Sequence, residues 1–223
     1  MLTQIYGITT PEDAAMVNAL GPDHVGVVLD EGHGAWDSVD ERTMRAILTE
    51  LTAVRVVALS FATDETAISR LVDTLKPAIV HLVRATDEAT PAFVQRVRRV
   101  IAPVEVMLTV PVRSPEAVTT ARRFAPGADW LLLDTTDPAS GTVGATGLVH
   151  DWRHSRAVVE AVDVPVFLAG GLGPANVLSA IAAVNPAGVD SETRTSRDDD
   201  RRRKDRDKVR MFIELARRGA AVG

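Results

Sequence analysis

Short apolar runs recur along the whole chain, and a helical pattern separates each run from the next. The runs are rich in valine, leucine and isoleucine and are almost continuously hydrophobic, as residues 54–59 and 130–133 illustrate. Such continuity is typical of strands that are buried on both faces, as in parallel sheets. We predict strands over residues 3–8, 24–29, 54–60, 78–83, 104–109, 129–134, 164–168 and 187–190.

The segments between these strands each carry one apolar face, as Met44, Ile47 and Leu51 do, which is expected of helices that cover a sheet. Eight strands and eight helices in 223 residues correspond to about 28 residues per unit, the size of a compact (β/α)8 barrel. We therefore predict an α/β fold with a single (β/α)8 (TIM) barrel domain over residues 1–223. A doubly wound parallel sheet is the alternative.

Helix starts are marked by a capping or turn residue followed by proline. Thr10-Pro11, with Asp13 in the first turn, predicts one start. Thr90-Pro91, Ser114-Pro115 and Gly173-Pro174 predict three more.

Two connections are longer than a barrel requires, and long loops in compact domains are usually functional or disordered. Residues 135–151 are rich in glycine, threonine and serine, and residues 191–208 form a dense run of mixed charge. We expect residues 191–208 to be a solvated, flexible segment that leads into the last helix. The alternative is an arginine-bearing flap over an anionic ligand.

Composition restricts the classes of function. A formal net charge of −5 provides no electrostatic basis for a nucleic-acid partner. Neither a membrane span nor a signal peptide is evident, so we expect a cytoplasmic protein without a membrane partner. The chain has no cysteine, which excludes disulfides and cysteine nucleophiles. Lys76, Lys204 and Lys208 are its only lysines, and none lies at a predicted strand end, which argues against Schiff-base aldolase chemistry.

A strand that ends in paired glycines precedes the predicted helix start at Pro174. Gly170 and Gly171 would let backbone N–H groups approach an anion closely, and the following helix N-terminus would add positive potential. The same glycines would also suit a tight turn without any ligand. After the seventh strand of a barrel, we favour a phosphate site.

The opening residues 4–14, QIYGITTPEDA, resemble the first βα unit of the phosphoribosylanthranilate isomerase family. The resemblance extends over nearly the whole chain. It includes the strand-six end at residues 131–135, the pairs Thr146-Gly147 and Asp151-Trp152, the glycine turn at 169–177, the segment 188–191 and the final helix around 211–213. One departure is decisive for chemistry, because Tyr6 stands where the family carries its catalytic cysteine.

The resemblance implies an isomerase of tryptophan (amino-acid) biosynthesis that performs an Amadori rearrangement. An acid opens the sugar ring by protonating its oxygen, and a base then removes the C2′ proton. Asp134 matches the family's acid. Tyr6 takes the base position, although a phenol with a pKa of about 10 is a poor base at neutral pH.

The resemblance also implies a small phosphosugar substrate and no cofactor, and we expect a monomer or homodimer. The substrate and phosphate contacts would come from Gly170, Gly171, Asp190, Ser191, His81 and Arg84. In the eighth loop, the family's serine-glycine turn is replaced by Ser191-Glu192-Thr193-Arg194, and the loop after strand two is acidic at residues 30–31. These departures lie at the ligand end of the barrel and indicate a repurposed site rather than a dead gene product. The family reaction and a related reaction on another phosphosugar are both open.

Two further readings remain open. Asp30, Glu31, His33, His81 and Asp134 would converge on the barrel axis if the chain were a metal-dependent phosphosugar epimerase, although we expect each to be a separate residue and no metal to be bound. The chain would otherwise be a catalytically silent barrel that binds a phosphate ligand.

Overall fold

The computed structural model describes residues 1–135 and 149–219. Its strands form one parallel sheet that closes on itself in chain order, from β1 through β8 and back to β1. The strands are β1 (Leu2–Ile5), β2 (His24–Val28), β3 (Arg55–Ser60), β4 (Ile79–Leu82), β5 (Glu105–Val112), β6 (Trp130–Thr135), β7 (Val166–Leu168) and β8 (Gly188–Ser191). The predicted (β/α)8 barrel is confirmed, and the doubly wound alternative is wrong.

Helices on the outside of the barrel connect the strands. Within the described residues they are α1 (Pro11–Leu20), α2 (Glu41–Glu50), α3 (Glu65–Leu75), α4 (Ala85–Glu88), α5 (Pro91–Val100), α6 (Ala117–Phe124), α7 (Trp152–Val159), α8 (Val177–Val184) and α9 (Arg206–Gly219), with 3₁₀ turns at Ala125–Gly127 and Thr193–Thr195. The short α4 was not expected from the sequence. None of the helices in this part of the chain is long and apolar enough to cross a membrane.

Two predicted helix starts are confirmed at the atomic level. The Thr10 hydroxyl accepts a hydrogen bond from the Asp13 N–H at 3.2 Å, and Thr90 accepts one from Phe93 at 3.2 Å. Proline occupies the first turn of both helices, where its missing N–H costs nothing.

The other two predicted starts are wrong by two to three residues, because a turn comes before each helix. After Ser114-Pro115, α6 begins only at Ala117. After Gly173-Pro174, the Asn176 side chain closes a turn by accepting from the Gly173 N–H at 2.9 Å and donating to the Gly171 carbonyl at 3.1 Å. Helix α8 therefore begins at Val177.

The apolar core has two parts. The larger lies between the sheet and the helices, and the smaller fills the barrel interior. The interior cluster consists of Tyr6, Val57, Ile79, Met107, Leu132, Phe167 and Ala169. The barrel is thus a packed core rather than a pore, so any chemistry is confined to its rim.

Two strand glycines make room for the rings of this interior. A Cβ at Gly26 would lie 2.1 Å from Cδ1 of Tyr6, and one at Gly188 would lie 2.4 Å from Cε1 of Phe167. Each ring therefore rests directly on the backbone of a neighbouring strand. The Tyr6 ring can occupy this position only because residue 26 has no side chain.

The charged segment 191–208 is attached to the barrel at several points. Arg203 forms an ion pair with the buried Asp13 at 2.9 Å, and the Lys204 N–H donates to the same carboxylate at 3.0 Å. Arg202 donates to the carbonyls of Trp36 and Ser38 in the loop after β2. These contacts hold the segment across that loop, and its flexibility in solution stays a prediction.

We expect Gly26→Ala to lower the free energy of unfolding by about 1–3 kcal/mol, the usual cost of overpacking a core. The cause is the clash with the Tyr6 ring, so the loss should be much smaller in a Tyr6→Cys background. Denaturant unfolding of the wild type, both single variants and the double variant measures this coupling. If Gly26→Ala lowered the free energy of unfolding equally in both backgrounds, the proposed contact between the Tyr6 ring and the backbone of Gly26 would be contradicted.

Candidate active site

Tyr6 lies at the carboxyl end of β1 and is only 5% exposed. Its hydroxyl is 2.7 Å from Nδ1 of His81 on β4, and Nε2 of His81 is 2.7 Å from Oγ1 of Thr109 on β5. Three strands are thereby linked across the top of the interior cluster. This arrangement favours a packing and anchoring role for Tyr6 over proton transfer.

The pKa values of Tyr6 and His81 also favour an anchoring role for Tyr6 over proton transfer. Burial raises the pKa of Tyr6 well above its ordinary value, and nearby carboxylates, led by Asp190 and Glu192, raise it further. Burial also lowers the pKa of His81 to about 3. A neutral phenol beside a neutral imidazole is therefore the stable state near neutral pH.

Asp134 lies at the end of β6, half-buried at the rim of the barrel. Desolvation raises its pKa to about 7, against the lowering effect of the Thr135 N–H, which donates to Oδ1 at 2.7 Å. A carboxyl group with this pKa holds its proton for part of the time at neutral pH. It has the property required of a general acid.

Asp190 on β8 is buried beside Asp134. Burial raises its pKa to about 8, and the charge of Asp134 adds to the shift. The amide of Gln4 donates to Oδ1 of Asp190 at 3.2 Å, and Oε1 of Gln4 lies 3.3 Å from Nδ1 of His24. Gln4 thus holds this carboxyl group, and its contact with substrate stays a prediction.

A second pair of carboxyl groups continues this line of acids along the rim. Glu192 follows β8, Asp37 comes from the loop after β2, and their side chains are hydrogen-bonded to each other. Burial raises the pKa of both groups. Lys204, only 4% exposed, stands beside them, and its Nζ donates to the Glu192 carbonyl at 2.9 Å.

Sequence reasoning noted Glu192 as a departure but did not identify this cluster. Asp37 and Lys204 are 167 residues apart in the chain, and only the folding of the charged segment over the loop after β2 brings them together. Lys204 follows β8 by 13 residues, so none of the lysines lies at a strand end, as expected, but the Lys204 side chain reaches the rim. Its Nζ would be 3.3 Å from a Cβ on Gly7, which directly follows β1 and Tyr6.

The turn after β7 requires glycine for its backbone geometry. Gly170 and Gly171 both adopt positive φ, at 84° and 63°. A Cβ at Gly170 would lie 2.1 Å from Oγ1 of Thr135, and one at Gly173 would lie 2.5 Å from Cβ of Arg194. Glycine is therefore required at residues 170 and 173 by the close packing of the Thr135 and Arg194 side chains, and phosphate binding by this turn stays a prediction.

Of the other predicted contacts, Ser191 supports this turn and Arg84 lies apart from it. The Ser191 hydroxyl donates to the Leu172 carbonyl at 2.7 Å, so it holds the turn from beneath. Arg84 lies over the Phe61 ring at 5.6 Å and pairs with Glu88 at 3.7 Å. It lines a separate cavity of about 580 Å³ between the loops after β2, β3 and β4.

The candidate metal ligands do not converge in the described residues. His33 packs against Phe61, with ring centroids 5.3 Å apart, whereas both ring nitrogens of His81 contact Tyr6 and Thr109. Across residues 1–135 and 149–219, no group of three or more acidic or histidine side chains is arranged to hold a metal ion. The family-like pair Thr146-Gly147 lies outside the described residues.

Comparison with known proteins gives a consistent result. Residues 3–214 match the family model described as N-(5'phosphoribosyl)anthranilate (PRA) isomerase. A Methanosarcina mazei protein named N-(5'-phosphoribosyl)anthranilate isomerase 2 is 34% identical, covering 97% of this chain and 94% of its own. The Haloferax volcanii N-(5'-phosphoribosyl)anthranilate isomerase is also 34% identical, with the same coverage.

Solved structures agree with the sequence comparisons. The crystal structure of phosphoribosyl anthranilate isomerase from Thermotoga maritima superimposes with a TM-score of 0.81 at 26% identity, covering 97% of this chain and 99% of that one. The enzyme of the same name from Pyrococcus furiosus gives a TM-score of 0.76 at 25% identity, covering 98% and 99%.

We expect Asp190→Asn to remove a pH dependence of stability. The folded-state pKa of about 8 exceeds the unfolded value of about 3.9, so the stabilisation from the bound proton is complete below pH ~4 and is lost as the pH rises through about 8. Asparagine mimics the neutral acid at every pH. Between pH ~4 and ~8, the wild type should therefore lose stability relative to the variant in denaturant unfolding.

Asp163→Asn is the matched control, since it removes one carboxylate from an exposed position before β7. Parallel stability curves for wild type and Asp190→Asn would refute the assignment of a protonated Asp190.

Proposed function

Because this chain belongs to the phosphoribosylanthranilate isomerase family, we propose that it isomerises an N-substituted phosphoribosylamine to the corresponding aminoketose. The observation that carries the proposal is the coincidence, on one rim, of a glycine turn suited to phosphate and a carboxyl group with an elevated pKa. Asp134 is the proton donor to the ring oxygen, and Gly170 and Gly171 bind the phosphate.

The first step uses Asp134. Its proton passes to the ring oxygen, the C1′–O bond breaks, and the nitrogen lone pair forms a C1′=N⁺ iminium. A base then removes the proton from C2′, and the electrons of that C–H bond form the C1′=C2′ double bond of an enolamine while the nitrogen recovers its lone pair. Protonation at C1′ and loss of the hydroxyl proton at C2′ yield the aminoketose. Atoms and charge balance, as an isomerisation requires.

The anthranilate-bearing member of this substrate class, named in the relatives, is the first substrate to test. The purified protein should convert phosphoribosylanthranilate to the aminoketose, and the gene should restore growth of a tryptophan auxotroph that lacks this isomerase. Absence of both results with soluble protein would reject this substrate.

The engagement of Tyr6 with His81 also favours a second candidate, a barrel that binds a phosphate ligand without turnover. In that case, phosphosugars would raise the free energy of unfolding by roughly 2.7 kcal/mol at 100 times the dissociation constant, yet none would be converted. Turnover of any of them would exclude this candidate.

The T. maritima relative is described as a dimeric enzyme. We propose a cytoplasmic monomer or homodimer for this chain, and light scattering of the purified protein tests its oligomeric state.

We expect Asp134→Asn to lower turnover by roughly 10²–10⁴-fold while the ligand still binds, because the shape remains and the proton donor is lost. In the wild type, turnover should fall as the pH rises through about 7, since only the protonated form of Asp134 donates. Steady-state kinetics across this range check both statements. Full activity of the variant would remove Asp134 from the mechanism.

We expect Gly171→Asp to abolish binding of inorganic phosphate and phosphosugars, because it places a carboxylate at the proposed anion site. Gly21→Asp is the matched control: Gly21 has a similar φ of 66° but lies between α1 and β2, at the opposite end of the barrel. Calorimetric titration measures both variants. Unchanged phosphate affinity in Gly171→Asp would show that the turn is not the phosphate site.

A further inference from the structure

The proposed reaction needs a proton acceptor for C2′, and Tyr6 does not provide one. Its hydroxyl is bound to His81, and its ring is enclosed by the interior cluster and Gly26. The acceptor must be another group near the end of β1, since that is where the resemblance places the base. Among the described residues, the acidic line Asp134, Asp190, Glu192 and Asp37 supplies the candidates.

Glu192 reaches this position from the neighbouring strand. Strand β8 pairs with β1 so that Ser191 lies opposite Ile5, and the Tyr6 N–H donates to the Ser191 carbonyl at 3.0 Å. The next residue, Glu192, therefore stands beside Tyr6 and Gly7. A Cβ on Gly7 would lie 3.2 Å from its Cγ and 3.3 Å from its Oε1.

The backbone of Glu192 is held in place by three side-chain donors. Its carbonyl accepts hydrogen bonds from Nζ of Lys204 at 2.9 Å, Oγ1 of Thr195 at 2.9 Å and Oγ of Ser196 at 3.2 Å. A base must be held within a small fraction of an ångström to react efficiently, and buried anchors of this kind provide such positioning. Glu192 itself is only half-buried, whereas Asp37 is 6% exposed.

The groups around Glu192 suit proton transfer. Asp37 contacts its carboxyl from the loop after β2, Lys204 stands beside it from the charged segment, and Asp190 and Tyr6 face it from β8 and β1. Two carboxyl groups that share a hydrogen bond cannot both ionise freely, so one proton is held between them. The shared hydrogen bond raises the pKa of Glu192 and lowers that of Asp37, so the resting proton lies on Glu192. Transfer of that proton to Asp37 gives the Glu192 carboxylate, which the Lys204 ammonium stabilises.

We propose that Glu192 is the general base of this chain, relocated from the end of β1 to the loop after β8, with Asp37 and Lys204 as its positioning residues. The proposal rests on the proposed isomerase function. In the step it catalyses, a Glu192 oxygen takes the C2′ proton and becomes a carboxylic acid. Asp134, at the other end of the acidic line, has by then delivered its proton to the ring oxygen.

The test is the kinetics of the full-length protein with phosphoribosylanthranilate. We expect Glu192→Gln to lower kcat by roughly 10²–10⁴-fold with little change in KM, the size of effect expected for a positioned base. Glu192→Asp should retain part of the activity. Glu160→Gln is the control, because Glu160 is an exposed carboxylate on the surface beyond α7.

Rescue separates a chemical role from a structural one. Glu192→Ala leaves space for a small acid, so added formate should restore turnover in proportion to its concentration, whereas it should not affect Glu192→Gln. Asp37→Asn should shift the acid limb of the kcat profile without abolishing turnover. Thermal unfolding of each variant identifies any that fail to fold. If Glu192→Gln or Glu192→Ala is among them, the activity of Glu192→Asp is compared with that of the wild type.

The outcomes are distinct. An active wild type with an unimpaired Glu192→Gln overturns the base assignment and leaves the proposed function standing. Loss of activity in Asp190→Asn together with an active Glu192→Gln transfers the role to Asp190 and overturns the proposal as well. A soluble but inactive wild type rejects the proposed function, and the base assignment falls with it.

Discussion

The hydrogen bond between Tyr6 and His81 determines much of the upper half of this barrel. It places a large ring over Gly26, joins β1 to β4, and continues through His81 to β5. Burial keeps both groups neutral, so the bond is stable over the physiological pH range. Because the ring occupies the interior, the reactive groups are restricted to the rim above it, and the family's usual base position is used for packing.

The rim itself is acidic, although we propose that it receives a phosphate ester. Asp134, Asp190, Glu192 and Asp37 influence one another's protonation along the rim, and Lys204 partly compensates their charge. Burial of these groups favours their neutral forms, which limits repulsion of an anionic ligand. The glycine turn after β7 is bound to the start of the loop that carries Glu192, because the Ser191 hydroxyl donates to the Leu172 carbonyl.

Local sequence signals predicted those features that neighbouring residues determine. The strands were predicted within about two residues over most of their bounds, because apolar continuity depends on burial alone. Thr10 and Thr90 identified true helix caps. Ser114-Pro115 and Gly173-Pro174 gave wrong helix starts, because the same residue types also begin tight turns. At Gly173-Pro174, the Asn176 side chain stabilises a turn instead of a helix start through hydrogen bonds to Gly171 and Gly173.

The sequence by itself determined the barrel, the glycine turn and the position of Asp134, since each depends on hydrophobic periodicity or on a local motif. Only the tertiary structure decided what surrounds Tyr6 and which acids accompany Asp134. The pairing of Glu192 with Asp37, and the burial of Lys204 beside them, arise from parts of the chain that meet only when the barrel closes and residues 191–208 fold across its rim. No periodicity in the sequence encodes such contacts, because they depend on which segments lie close together in three dimensions.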